Sequence, residues 1–326
     1  MDKKSNLKLA SREVQKAVLD IEKEMSRVVV GQKDVVRGII RGVLCDGHVL
    51  VEGVPGVAKT LIVKAIARVL GCEMKRIQFT VDLLPTDITG IMSYTPKKGF
   101  SVIKGPVFAN FVLADEINRS PPKTQSALLE AMQEREVTIS RKTYELPRPF
   151  FVMATENPVE VSGVYQLPEA QVDRFLFKLL IGYPEDDEEK VILDQNTTTK
   201  DFEDYNLKKI LTPTKIISLQ KTVKKVFTSE VISEYIVRIV NQTRSDKYDF
   251  SKYISYGASP RASIALFIAS KAEALMNGRD YVIPQDVDRV AYSVLRHRVI
   301  LNYEAQAENI STDQIIKQIL SKVKAP

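Results

Sequence analysis

Gly53-Val-Pro-Gly-Val-Ala-Lys59-Thr60 and Phe111-Val-Leu-Ala-Asp115-Glu116 are the two runs whose residue types and spacing could do chemistry. A loop that cradles phosphate groups needs backbone N–H groups turned inward, and so needs residues that tolerate unusual dihedrals. It also needs a lysine for the β- and γ-phosphates and a hydroxyl for Mg²⁺. Gly53, Val54, Pro55, Gly56, Val57 and Ala58 make such a loop, and Lys59 and Thr60 supply the charge and the hydroxyl. Leu61 leads into the following helix, whose positive end would face the anion. One departure matters: Ala58 stands where the pattern has its second glycine, and alanine narrows the allowed backbone. Taken alone, the run also fits a glycine-containing turn that carries a surface lysine.

The second run reads as a strand ending in two carboxylates. Asp115 would hold the Mg²⁺ shell through water or the Thr60 hydroxyl. Glu116 would orient and polarise the attacking water as a general base. Polar strand ends are common, but this one falls one strand-and-helix unit downstream of the phosphate loop. Together the two runs imply nucleotide hydrolysis with ATP and Mg²⁺ as cofactors.

Those residues need a scaffold, and the apolar spacing supplies one. Val14, Val18, Ile21 and Met25 recur at three and four within 11–26, which predicts a helix, and Val35 to Val43 predicts another after Gly31. His48 to Glu52 is a short apolar run directly before the loop, and Leu61 to Leu70 is a helix behind it. Further strands are expected at Met74 to Phe79, Phe111 to Ala114 and Phe150 to Ala154, and a helix from Pro121-Pro122 onward. Strands alternating with helices imply a mostly parallel sheet covered on both faces. Ligands gather beyond the carboxyl ends of such strands, where every polar cluster here falls.

The character changes after Gly182-Tyr-Pro184. Glu185-Asp-Asp-Glu-Glu189 suits the start of a helix, and the pattern then stays helical through Val231 to Val240, Ile264 to Met276 and Ile315 to Val323. Two domains are expected, an α/β nucleotide-binding core over 1–183 and an all-α domain over 184–326. Lys and Arg number 47 against 41 Asp and Glu, an excess too small to argue for DNA. Cys45 and Cys72 lie in apolar surroundings and read as small core residues, and with only His48 and His297 no structural zinc is expected. The start lacks a signal-peptide core, and no stretch reaches the roughly 18 apolar residues of a membrane span. A cytoplasmic location without membrane insertion is the expectation.

These residues resemble the AAA+ ATPases and, within them, the MoxR family. The resemblance is carried by the loop Gly53 to Thr60, by Ala114-Asp-Glu-Ile-Asn-Arg-Ser-Pro-Pro-Lys through Glu134, by Ala154-Thr-Glu-Asn-Pro158, by Leu167-Pro-Glu-Ala-Gln-Val-Asp-Arg-Phe175 and by Gly257-Ala-Ser-Pro-Arg-Ala262. It spans nearly the whole chain and implies a P-loop core followed by a helical lid. It also implies roles. Asn157 is similar to the sensor-1 residue, which bonds the γ-phosphate or the lytic water; an Asn-Pro turn is the competing reading. Arg174 resembles the arginine finger that reaches a neighbouring subunit's site, against a local pair with Asp173 or Glu169. Arg261 resembles sensor 2, which contacts phosphate from the same chain. Val30, Gly31 and Gln32 resemble the segment beside the adenine, against an ordinary helix N-cap. The stretch from Phe79 to Gly105 resembles the insertions that project toward a ring's pore or face, and a plain hairpin fits it equally.

The resemblance further implies a homo-oligomer, a hexameric ring, that remodels or matures protein clients, often beside partners with von Willebrand factor A domains. A nucleic-acid motor is the main rival, but Lys97, Lys98 and Lys104 are a thin case for it. A small-molecule kinase is the third class. The helical lid and the arginine candidate acting in trans count against it.

Overall fold

The four apolar residues Val14, Val18, Ile21 and Met25 form one face of helix α1 (Lys3–Met25), and none is more than 2% exposed. The computed structural model describes residues 3–54, 56–97, 99–158, 164–195, 202–247 and 249–326. Pro55 of the phosphate loop and Lys98 therefore lie outside the described residues. After α1 come α2 (Lys33–Leu44), β1 (Val49–Gly53), α3 (Lys59–Val69) and β2 (Met74–Gln78). A short helix α4 (Pro85–Thr89) then leads into the antiparallel hairpin β3 (Gly90–Thr95) and β4 (Gly99–Lys104). The core continues with β5 (Phe111–Asp115), α5 (Pro122–Glu134), a second hairpin β6 (Glu136–Ile139) and β7 (Lys142–Glu145), and β8 (Phe151–Glu156).

A four-residue helix α6 (Glu169–Val172) precedes β9 (Phe177–Ile181), which completes a five-stranded sheet in the order β2-β5-β8-β1-β9. All four pairings are parallel, and β1 lies between β8 and β9 with Val49 opposite both Met153 and Phe177. Side chains alternate between two apolar layers, as a period of two requires. Val49, Val51, Phe111, Leu113, Phe151 and Met153 face the layer shared with α1, α2 and α3. Leu50, Val112, Ala114, Val152 and Ala154 face the layer under α5. Burial on both faces is why β5 reads as an unbroken apolar run before Asp115.

Beyond β9 the chain is helical: α7 (Asp186–Gln195), α8 (Pro213–Lys225), α9 (Glu230–Gln242), and, after the short strand β10 (Ile254–Tyr256), α10 (Pro260–Met276) and α11 (Pro284–Leu295). Strand β11 (Ile300–Leu301) pairs with β10, and α12 (Tyr303–Ala307) and α13 (Thr312–Lys322) end the chain. Helix α10 is the axle of this part. Its buried Ala262, Ala265, Ala269 and Ala272 allow close approach, and it packs against α1, α2, α8, α9 and α11.

One buried carboxylate ties α10 to the core. Glu273 is fully buried and accepts from Arg41 Nε and Nη2 at 2.9 and 2.5 Å and from Asn277 at 2.9 Å. Burial pushes its carboxyl up, but Arg41, Asn277 and Arg37 outweigh that and hold it below its ordinary value. Cys45 and Cys72 are free and pack against the core, and burial pushes both thiols up to about 12. Among the described residues no helix is long and apolar enough to cross a membrane.

The stretch from Phe79 to Gly105 is thus a short helix and a hairpin. Tyr94 and Phe100 face each other across it, rings 5.0 Å apart, and are 61% and 74% exposed. Among the described residues nothing covers that pair.

Candidate active site

The phosphate loop joins β1 to α3. Gly53 at its start is required by close packing, because a Cβ there would lie 2.8 Å from the Ile181 carbonyl oxygen. Gly56 is left-handed at φ +86°, and so is Ala58 at φ 59°, ψ 22°. The alanine therefore adopts the conformation that the pattern's glycine would supply, at a cost of about 1 kcal/mol. Lys59 opens α3, and its Nζ donates to the Gly53 carbonyl at 2.8 Å, which folds the ammonium back across the loop. Thr60 and Leu61 occupy the first turn of α3, where backbone N–H groups lack helical partners and favour an anion.

Asp115 ends β5 and is 8% exposed. Its Oδ1 accepts the Thr155 hydroxyl at 2.7 Å, and its Oδ2 accepts Arg76 Nη2 and Nε at 2.6 and 3.1 Å. Glu116 follows in the left-handed region at φ 57°, ψ 51°, a strained setting for a residue with a side chain. Its N–H donates to the Thr155 hydroxyl at 2.8 Å, and its Oε2 takes Gln78 Nε2 at 2.7 Å and Arg119 Nε at 3.3 Å. Thr155, fully buried on β8, thus staples both carboxylate residues in place.

Thr155, Arg76 and Gln78 are absent from the sequence-based candidates. Thr155 lies inside the run Ala154 to Pro158, and Arg76 and Gln78 share one face of β2 by their spacing of two. Only the strand pairing, with Gln78 opposite Asp115, reveals what that face looks at.

Asn157 follows β8 and is 5% exposed. It borders a cleft of about 360 Å³ lined also by Glu52, Glu156, Lys178, Arg296 and His297. Lys178 pairs with Glu52 at 2.6 Å, and burial holds the Glu156 carboxyl above its ordinary value. Val30, Gly31 and Gln32 reach the same edge of the sheet: Gln32 Nε2 donates at 3.1 Å to the carbonyl of Gly182, just past the end of β9. Gln32 is also the N-cap residue of α2, without a capping bond from its side chain. Gly31 has φ +79° and packs against the Glu188 carboxylate, leaving no room for a Cβ.

The two arginines lie elsewhere. Arg174 precedes β9, is exposed, and donates to the Leu129 carbonyl at 3.3 Å. It forms no ion pair with Asp173 or Glu169; Asp173 instead binds Arg298 at 2.7 Å and Arg261 at 3.7 Å. Arg261 opens α10 and shares with Arg174 a cleft of about 340 Å³ that includes Asp46, His48 and Arg135. His48 precedes β1, so this cleft sits at the amino-terminal edge of the sheet. Arg261, expected to contact phosphate held by its own chain, thus lies beside Arg174 and the Asp173 carboxylate. A five-residue strand of about 16 Å separates the two edges, and Arg261 lies on the far one, whereas Arg296 and His297 of the helical part line the cleft beside Asn157.

For Mg²⁺ the donor set fits: a threonine hydroxyl and a carboxylate are hard oxygen ligands, few in number, as a cation that keeps waters and phosphate oxygens requires. Asp115 Oδ2 already accepts a cationic group, the Arg76 guanidinium.

Residues 48–177 match the ATPase family associated with various cellular activities (AAA), and residues 247–319 match the AAA lid domain. A crystal structure of a candidate ATPase from Cytophaga hutchinsonii superposes with a TM-score of 0.90 at 45% identity, covering 99% of this chain and 98% of that one. Fold and site together define an AAA+ ATPase, an ATP hydrolase with a nucleotide-binding core and a helical lid. The chain is 48% identical to the chaperone MoxR1 of Mycobacterium tuberculosis, over 93% of this chain and 81% of that protein. It is 30% identical to the protein MoxR of Methylorubrum extorquens over 95% of each. It belongs to the MoxR family.

Proposed function

We propose that this chain hydrolyses Mg²⁺-bound ATP at a site shared between neighbouring copies in a hexameric ring, and uses the cycle to remodel or mature partner proteins in the cytoplasm. The observation that carries the shared site is the separation of its parts. Gly53 to Thr60, Asp115 and Glu116 lie at the carboxyl edge of the sheet, while Arg174 and Arg261 lie together at the other. Each copy then offers a phosphate site on one side and two arginines on the opposite side.

In this reading the division falls near residue 184, with the nucleotide site on 1–183 and the lid on 184–326. Val54, Gly56, Val57 and Ala58 turn backbone amides to the phosphates within the loop that also holds Pro55, which has no N–H to give. Lys59 neutralises the β- and γ-phosphates, and Val30 and Gly31 flank the adenine. Thr60 and Asp115 would hold Mg²⁺, which supplies charge for the leaving phosphate. Glu116 accepts the proton of the attacking water as its oxygen bonds to the γ-phosphorus and the bond from that phosphorus to the β,γ-bridging oxygen breaks, so that ADP leaves with the electron pair. Asn157 orients that water or the γ-phosphate. Arg174, with Arg261, comes from the neighbour and neutralises charge in the transition state, an effect worth roughly 10³–10⁵ in turnover for an arginine finger.

Remodelling of protein clients is supported by the chaperone name of the MoxR1 relative and by the exposed Tyr94 and Phe100. Proteins with von Willebrand factor A domains are the partner class that the family resemblance suggests.

A mixing experiment tests the shared site. Arg174→Ala subunits keep Lys59 and Glu116, and Glu116→Gln subunits keep Arg174. Each is expected to be nearly inactive alone, and a mixture should regain turnover where a good finger meets a good site. Co-assembled rings that stay dead, or an active Arg174→Ala, would overturn the model.

A further inference from the structure

Arg76 sits where a metal ligand would be expected to face a metal. Both of its bonds to Asp115 go to one oxygen, Oδ2, at 2.6 and 3.1 Å, while Oδ1 is taken by Thr155. The same Nη2 donates to Gln78 Oε1 at 2.6 Å, and Gln78 Nε2 donates to Glu116 Oε2 at 2.7 Å. The amide of Gln78 has no choice of orientation: with its oxygen committed to a guanidinium, its NH₂ must face the carboxylate. A continuous chain of hydrogen bonds therefore runs from Asp115 through Arg76 and Gln78 to Glu116.

We propose that Arg76 is a resident cation on Asp115 that a divalent metal displaces, and that its departure loosens the hold of Gln78 on Glu116. The proposal rests on reading Asp115 as a metal ligand and Glu116 as the base. A guanidinium and a divalent cation compete for the same lone pairs, and like charges at contact distance repel. The doubly charged, compact ion wins that contest at an oxygen site. Which partner moves follows from burial. Asp115 is 11% exposed at its side chain and pinned by Thr155, whereas Arg76 is 48% exposed on the edge strand β2 and can swing into water.

Once Arg76 leaves, the Gln78 oxygen loses the donor that orients its amide. Glu116 then keeps only the longer contact to Arg119 at 3.3 Å from its own turn. The base is thus held while the metal carboxylate is empty and freed when it is filled. Arg76 is a positioning residue here, acting on Glu116 through Gln78 rather than on substrate.

The test titrates Mg²⁺ into the full-length protein with a fluorescent, non-hydrolysable ATP analogue, and compares wild type with Arg76→Met, Arg76→Lys and Gln78→Leu. Arg76→Met should half-saturate at up to roughly 5-fold lower Mg²⁺, the upper end of the scale of a half-exposed ion pair. Arg76→Lys should stay near wild type because a cation is restored, and Gln78→Leu should leave the midpoint unchanged because Arg76 remains on Asp115. Circular dichroism confirms that each variant is folded, and Lys and Met at an exposed strand position give two independent folded probes. An unchanged or higher midpoint for Arg76→Met overturns the proposal, as does a shift of equal size in Gln78→Leu. If wild type binds the analogue without any dependence on Mg²⁺, this inference fails while the ATP site stands; if it does not bind the analogue at all, the proposed ATP site itself has failed.

Discussion

The hydroxyl of Thr155 donates to Asp115 Oδ1 at 2.7 Å and in the same geometry accepts the N–H of Glu116 at 2.8 Å. A single atom on β8 therefore fixes the side chain of one acidic residue and the backbone of the next. Thr155→Val keeps the shape and leaves both groups unsatisfied in a dry interior. We expect a stability loss of about 1–3 kcal/mol, and a turnover loss of about 10²-fold if the carboxylates shift by an ångström. Thr155→Ser should restore most of both. Urea unfolding and a phosphate-release assay read the two effects, and full activity of the valine variant would remove Thr155 from the site.

Lys59 and Glu116 divide binding from chemistry. Lys59→Ala is expected to abolish nucleotide binding, whereas Glu116→Gln should bind normally and lose about 10²-fold or more in turnover. Equilibrium binding of a fluorescent ATP analogue separates the two. Near-normal hydrolysis by Glu116→Gln would show that another group activates water.

Acid should weaken the fold through two histidines. His48 donates from Nε2 to the Met132 carbonyl at 3.1 Å and accepts the Val152 N–H on Nδ1 at 3.0 Å, a pattern only the neutral ring satisfies. Burial lowers it from 6.5 to about 4, with the Arg135 charge adding to the effect. Burial first, then Arg298, holds His297 well below 6.5. The unfolded chain takes up these protons below pH 6.5 while the folded one does not. Their contribution is therefore complete above 6.5 and falls away toward the folded value, about 4 for His48. Each histidine contributes a slope of up to about 1.4 kcal/mol per pH unit. Urea unfolding at several pH values between those limits should show a shallower slope for His48→Gln, and an identical slope would exclude His48 as a source.

The ATPase rate should be insensitive to single- or double-stranded DNA at physiological salt. The charge excess is small, 47 basic against 41 acidic residues, and a nucleic-acid motor would bind with an affinity that falls steeply with salt. Several-fold stimulation by DNA would favour the motor reading.

The α/β core and the helical lid were legible because their strands are buried on both faces and their helices keep one apolar stripe. Phe111 to Ala114 announces a central strand by itself, and the loop announces the strand before it and the helix after it. The hairpin β3–β4 was weighed only as an alternative to a projecting insertion, since exposure on both faces erases the alternation that marks a strand, and β6–β7 was not read at all, its strands being only four residues long. Strand β9 was missed too, its five residues lying just before the change of character at Pro184. At the candidate site, the expected residues are contiguous in their motifs, and those recruited across strands carry no local signal. Arg76 and Gln78 depend on the register of β2 against β5, and Arg261 depends on which edge of the sheet the lid meets. Neither is a property of local sequence.

Glu273 has a mechanical consequence. A lid fastened to the core by a buried carboxylate that accepts from Arg41 at 2.5 and 2.9 Å and from Arg37 at 3.5 Å is no loose flap. Severing such a buried contact would cost roughly 3–5 kcal/mol, a large share of a domain's whole stability. Core and lid therefore travel as one stiff lever. In the proposed ring such stiffness would leave the seams between copies as the compliant hinges, and strain from one nucleotide would reach the neighbour first.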